Sequence, residues 1–298
     1  MKKVCLYFTG ALILIVAAVI FKNVYSCRLP IKNRGIAYAV EEGKLGAMFV
    51  GSSSFRSNLD IDVLDEIYDD GAYILSYGGN QYVACSIQYD ELKSRGVKSD
   101  LYIFEMDPLM LTEEVDLSDS RVIWDLSWNG KRSLWQEMCK SPQTDTGFKV
   151  WYEYFITSGM DDLVTFPITE PFYSTRYHKG AKTGDVASPG KEYLDNVEFD
   201  VSGKNVVKAQ EDSVRDLIAK CRQDGQEFMF IETPHYYRLA NDETYLKYKE
   251  YFLNLLEEEG VKCITCEDTG FDNTNPDYFE DMGHMTGLGR RVYTENFK

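Results

Sequence analysis

Short apolar runs recur along the chain, each closed by glycine, proline or small polar residues. Ala47-Met48-Phe49-Val50 ends in Gly51-Ser52-Ser53-Ser54, Tyr73-Ile74-Leu75 runs into Gly78-Gly79-Asn80, and Leu101-Tyr102-Ile103-Phe104 is closed by Asp107-Pro108. Phe228-Met229-Phe230-Ile231, ending in Thr233-Pro234, and Val261-Lys262-Cys263-Ile264 supply two more. Runs of this length between backbone breakers read as buried strands. Helical spacing fills the gaps: Tyr82, Cys85, Tyr89 and Leu92, then Val214, Leu217, Ile218 and Cys221, then Tyr248, Tyr251, Phe252 and Leu255 before Gly260. Strands alternating with amphipathic helices predict an α/β fold with an open, mostly parallel five-stranded sheet flanked by helices.

Two regions break this rhythm. Met1-Lys2-Lys3 precedes an uncharged run from Val4 to Phe21, and those 18 residues just span a hydrocarbon core at 1.5 Å per residue. The two lysines favour a cytoplasmic N-terminus, so the remainder is expected outside the membrane as a single-pass, extracytoplasmic domain. A cleaved signal ending near Val24-Tyr25-Ser26, which would leave a secreted protein, is the competing reading, and a lipoprotein modified at Cys27 has a poor box. An uncleaved anchor is preferred. The second break is the stretch at about 109–207, which holds Trp124, Trp128, Trp135 and Trp151 and is too long for a structureless loop. The expected organisation is an anchor or signal segment over 1–26, a juxtamembrane linker over 27–45, and one domain over 46–298 with an insertion at about 109–207.

Charge changes the picture by exclusion. The formal net charge is −16 and no basic stripe offsets it, which argues against a nucleic-acid partner. Acidic polymers would be repelled too, except at a local basic patch. The lone C-x-x-C of Cys263 and Cys266 has no second pair to complete a zinc site and reads as two buried strand cysteines.

Candidate chemistry follows from position. Ligands of an open parallel sheet bind beyond the carboxyl ends of its strands. Gly51-Ser52-Ser53 follows the first strand, Gly78-Gly79-Asn80 the second, and Asp281-Met282-Gly283-His284 the last. A serine hydroxyl needs a base, histidine titrates near neutrality, and a carboxylate on its other nitrogen fixes the tautomer. Ser53, His284 and Asp281 are therefore the candidate catalytic residues, with Ser54 as a fallback nucleophile. The Ser53 backbone N–H, Gly78, Gly79 and the Asn80 amide are candidate oxyanion donors. His235, which also ends a strand, is a candidate lining residue of the cleft; His178 is expected on the surface. A metal site from His235, His284 and Asp281 has no supporting spacing, so neither metal nor cofactor is expected.

Phe49-Val50-Gly51-Ser52-Ser53-Ser54, Tyr77-Gly78-Gly79-Asn80-Gln81 and Tyr278-Phe279-Glu280-Asp281-Met282-Gly283-His284-Met285-Thr286-Gly287 resemble the motifs of the SGNH/GDSL hydrolase superfamily. Within it they resemble the DltD-like branch, which includes the teichoic-acid D-alanylation and alginate-acetylation proteins. The resemblance spans residues 46–298 apart from the tryptophan-rich middle. It implies a flavodoxin-like SGNH fold, a Ser53 nucleophile and an Asp281–His284 pair, with Gly78 matching the oxyanion glycine. It also implies an acetyl or D-alanyl esterase or acyltransferase acting on envelope polysaccharide or another acylated polymer, beside a membrane O-acyltransferase. Ser52 replaces the usual aspartate of Gly-Asp-Ser. No block matches the oxyanion asparagine, and Glu105 and Asp107 stand near its place. These departures leave room for a rival reading: a non-catalytic binding or assembly protein of the same fold.

Overall fold

The computed structural model describes residues 2–28, 34–116, 119, 121–140, 152, 156 and 177–297. The chain opens with helix α1 (Lys2–Tyr25) and α2 (Ile36–Glu42), then alternates β1 (Lys44–Gly51), α3 (Ser53–Asn58), α4 (Ile61–Ile67), β2 (Ala72–Ser76), α5 (Tyr82–Ser94) and β3 (Lys98–Met106). Helices α6 (Arg121–Asp125) and α7 (Trp128–Met138), a hairpin of β4 (Tyr177–His178) and β5 (Ala181–Lys182), and α8 (Lys191–Asn196) come from the middle of the chain. Alternation resumes with α9 (Lys208–Gln223), β6 (Glu227–Glu232), α10 (Tyr237–Ala240), α11 (Glu243–Glu258), β7 (Cys263–Ile264), α12 (Cys266–Thr269) and α13 (Gly287–Glu295).

The main sheet has five parallel strands in the order β2-β1-β3-β6-β7, as the strand pattern predicts. β1 is its hinge: Ala47 pairs with Ala72 on one side and Leu101 on the other. The strand order reverses here, with β2 to one side of β1 and β3 to the other, which opens a crevice beyond the end of β1. The side chains of β1 alternate between two cores. Met48 and Val50 pack with α5, α9 and α11, while Ala47 and Phe49 pack with α3, α4 and α13. Both faces are covered, so the strand is almost continuously apolar.

The hairpin β4–β5 lies against the outer edge of the sheet. Ile74 N donates to Lys179 O at 2.9 Å, satisfying an edge donor of β2. Gly180, at φ 85°, makes the close approach possible, because a Cβ there would stand 1.7 Å from Ile74 O.

Among the described residues one helix, α1, is long and apolar enough to cross a membrane, with Cys5–Val24 at a mean hydropathy of 2.2. A membrane span and a signal sequence share those properties. Its C-terminal end is seated on the domain. Lys131, fully buried, donates from Nζ to the Lys22 and Asn23 carbonyls and the Ser26 hydroxyl, each at 3.2 Å. A cation there suits the unsatisfied carbonyls of a helix end. Burial is the largest influence on Lys131 and pulls its pKa down to about 8.

The polar stretch 27–45, read as a linker, is structured where it is described: Ile36 and Ala39 of α2 are buried, and β1 starts at Lys44. Residues 29–33 lie outside the described residues. So does Trp151, with most of 141–176. Trp124 is buried, Trp135 packs against the core and Trp128 is half exposed. Cys263 lies in β7, but Cys266 opens α12 rather than continuing the strand.

Candidate active site

The end of β1 is built around a missing side chain. A Cβ on Gly51 would meet Glu105 Oε2 at 2.5 Å and the Phe55 ring at 2.9 Å. Glycine lets the Glu105 carboxylate slide under the turn, where it accepts the Ser52 N–H on Oε2 and the Thr233 hydroxyl on Oε1 at 2.9 Å. Ser52 then caps α3, its hydroxyl accepting from Ser54 N at 3.2 Å. Ser53 follows as the first helical residue, in the first turn where backbone N–H groups have no intrahelical acceptor. Glu105 is fully enclosed, and burial together with the Asp107 charge holds its pKa well above the usual carboxylate range against the pull of those hydrogen bonds.

The second half of the site is a local turn. Asp281 Oδ1 accepts the backbone N–H of Gly283 and of His284, both at 2.8 Å. Its Oδ2 lies 2.8 Å from His284 Nδ1. Partial desolvation pushes the Asp281 pKa up, but the hydrogen bond and charge of His284 and the two N–H donors outweigh it and leave the carboxyl below its usual value. His284 Nε2 then stands 2.9 Å from Ser53 Oγ. The hydroxyl, imidazole and carboxylate make one continuous chain.

Asn58 joins the halves. It ends α3, five residues after Ser53, and is fully buried. Its amide donates to Gly283 O at 2.9 Å and Pro234 O at 3.3 Å, and its carbonyl accepts Met285 N at 2.9 Å. The helix carrying the serine is thereby bonded directly to the loop carrying the histidine.

Ser53, Gly78 and His284 line a cleft of about 510 Å³, with Arg56, Tyr177, Lys182, Val186 and Glu280 among its walls. Lys182 Nζ bonds both oxygens of Glu280, at 2.6 and 2.9 Å, tying the hairpin to the loop before Asp281. Among the described residues no group of three His, Cys, Asp or Glu side chains is arranged to hold a metal ion.

Other expected site residues lie elsewhere. Asn80 is turned inward: its amide donates to Gly51 O and Gln88 Oε1, both at 3.0 Å, so it supports the turn rather than facing the cleft. Gly79 adopts φ 60° beside it and is not a wall of the cleft. His235 does not line the cleft either. It is 4% exposed, packed edge-on to Tyr245 behind the Asp281–Gly283 turn, where a Cβ on Gly283 would stand 3.3 Å from its Nδ1. Its Nε2 is 3.6 Å from Asp107 Oδ1, too far for a hydrogen bond. Ser54 is buried in α3 and His178 is exposed on the hairpin. Glu105 carried a sequence signal, a carboxylate inside an apolar strand, but Asn58 carried none, because its three partners lie more than 170 residues away.

No protein-family model matches the chain, and no curated protein matches it. Among solved structures, a catalytic mutant of an acetylxylan esterase from Geobacillus stearothermophilus is similar at a TM-score of 0.40 and 12% identity, over 86% of this chain and 92% of that one. A likeness this slight carries no argument about activity.

Proposed function

We propose that the chain is a serine esterase or acyltransferase of SGNH type, with Ser53 as nucleophile, His284 as general base and acid, and Asp281 as the group that fixes the imidazole. The observation that carries this reading is the unbroken contact from Ser53 Oγ to His284 Nε2 at 2.9 Å and from His284 Nδ1 to Asp281 Oδ2 at 2.8 Å. With Nδ1–H held by Asp281, Nε2 presents its lone pair to the serine proton. Ser53 Oγ attacks the ester carbonyl while His284 takes the proton. The oxyanion falls near the Ser53 N–H and Gly78, both at the cleft. The tetrahedral intermediate collapses as His284 protonates the leaving alkoxide, leaving an acyl-Ser53. Water then completes a hydrolysis, or a sugar hydroxyl a transfer, by the same steps in reverse.

The finer assignment rests on the sequence resemblance. The acyl group is acetyl or D-alanyl, and the acceptor or donor is envelope polysaccharide or a related acylated polymer. The domain works outside the membrane, held by α1 beside a membrane O-acyltransferase. The seating of α1 on Lys131 supports a retained helix, because cleavage after it would strip partners from a buried cation.

A fluorophosphonate probe tests the core of this reading. The wild-type chain is expected to label and the Ser53→Ala variant to stay unlabelled while folding normally by circular dichroism. Absence of labelling in folded wild type, together with no turnover of 4-nitrophenyl acetate, overturns it.

A further inference from the structure

Among the described residues, one cation at the cleft has no counter-ion. Arg56 sits on α3 three residues after Ser53, so both side chains leave the same face of the helix, about 5–6 Å apart at Cβ. Both line the cleft. The guanidinium is half-buried, and among the described residues it makes no hydrogen bond or ion pair; it lies over the Tyr177 ring, 5.8 Å away. Its Nη2 passes 3.6 Å from where a Cβ of Gly78 would stand, which puts it beside the proposed oxyanion glycine.

This arrangement runs against the composition. The chain has 48 acidic and 32 basic residues, so carboxylates are in excess. Elsewhere they are used: Lys44 pairs with Asp70 and Asp100, Arg95 with Glu91, Lys179 with Asp65, and Arg215 with Glu211, Glu258 and Glu259. Of the carboxylates near the cleft, Asp281 is held by His284, and Asp185 accepts Gly287 N at 2.7 Å. Glu280 is held by Lys182, and Asp119, beside Gly78, by Arg121 at 2.8 and 2.7 Å. Tyr177 carries a second guanidinium, Arg34, at 5.0 Å, but that one is buried and feels the Asp119 and Asp125 carboxylates.

We propose that Arg56 determines specificity, its guanidinium receiving a carboxylate or phosphate that the substrate carries within a few bonds of the scissile ester. This rests on the esterase reading and narrows its substrate class to esters of anionic molecules. A planar fork of donors suits either anion and binds it with two parallel hydrogen bonds. The anion would also anchor the substrate along the helix that carries the nucleophile, fixing the carbonyl over Ser53.

The test uses the full-length chain in mild detergent and a matched pair of esters, mono-4-nitrophenyl terephthalate, whose carboxylate cannot reach its own ester, and its neutral methyl ester. The readout is the ratio of their kcat/KM values. In wild type the ratio favours the anion and falls as salt is raised. Arg56→Gln is expected to lower the ratio about 10- to 100-fold, as for loss of a charge-assisted hydrogen bond, with partial recovery in Arg56→Lys. Inhibition by free succinate against inorganic phosphate, each at millimolar concentration, tells carboxylate from phosphate as the better fit. An unchanged ratio in Arg56→Gln overturns the proposal, including the case where both rates drop together, which would make Arg56 an oxyanion or packing residue. If wild type turns over neither ester and takes no fluorophosphonate label, the esterase reading fails separately. Phosphate binding by calorimetry then decides: loss of binding in Arg56→Gln sustains the anion site, and equal binding in both chains removes it.

Discussion

Two histidines stand at the same rim of the sheet, and they are opposites. His284 is partly exposed, with a carboxylate at 2.8 Å on one ring nitrogen and a serine hydroxyl at 2.9 Å on the other. His235 is almost wholly buried, and among the described residues neither ring nitrogen reaches a hydrogen-bond partner. Acidic groups surround both, so charge nearby does not distinguish them. Alignment does. Asp281 is fixed by two backbone N–H donors three residues before its histidine, whereas Asp107 spends its Oδ1 on Leu109 N at the start of a short turn and stays 3.6 Å from His235. The arrangement suits His284, and not His235, to carry a proton, because both of its nitrogens face polar partners.

Replacing each histidine gives the sharpest contrast. His284→Ala is expected to lower kcat/KM for 4-nitrophenyl acetate on the order of 10⁴-fold, with little change in melting temperature. A loss under tenfold would mean that the contact is structural and would erase the distinction.

Asn58→Ala attacks the strut between the two sides of the active constellation while leaving all three of its members in place. It strands the Gly283 and Pro234 carbonyls and the Met285 N–H in a buried site, at a cost of about 1–3 kcal/mol in unfolding free energy. Slackened alignment should also lower kcat about 10- to 100-fold. Denaturant titration and steady-state kinetics on the same preparation separate the two effects. A stable variant with unchanged kcat would show that the loop holds its own position.

The smallest effect is expected at His235. Burial pulls its pKa down, but Asp107, with Glu232 and Glu105 behind it, outweighs that and holds it above the usual value. A raised folded-state pKa adds stability that is complete below the unfolded value of about 6.5 and is lost as pH rises through the folded one. His235→Leu should therefore cost stability at pH 5 and cost less, or gain up to about 1 kcal/mol, at pH 8, where a poorly satisfied imidazole is exchanged for an apolar side chain. Thermal unfolding at the two pH values measures this. The same loss at both would mean that His235 does not titrate between them.

The strands were legible because each is an apolar run between breakers, and the helices because their apolar residues recur at helical spacing. The Asp281–His284 pair was legible because the geometry is local: three residues in a turn suffice to bring the carboxylate to the ring. Asn80 misled for a related reason. A polar amide after a strand looks available, but the sequence does not say that Gly51 O and Gln88 are closer than the cleft. His235 misled likewise, since ending a strand places a residue at the rim without saying whether it faces in or out.

Patterns of period two and 3.6 determined, from the chain alone, the strands, the helices between them and the rim where chemistry was to be sought, because burial of apolar faces is a nearest-neighbour matter along the backbone. Tertiary structure alone decided which polar groups reach across it. The approach of residue 53 to residue 284, the Asn58 strut, the carboxylate of Glu105 under the turn and the unmatched charge of Arg56 all depend on contacts between distant segments or on the lack of them. Hydrogen bonds and ion pairs act over about 3 Å, and no local pattern encodes a distance of that size between residues two hundred positions apart.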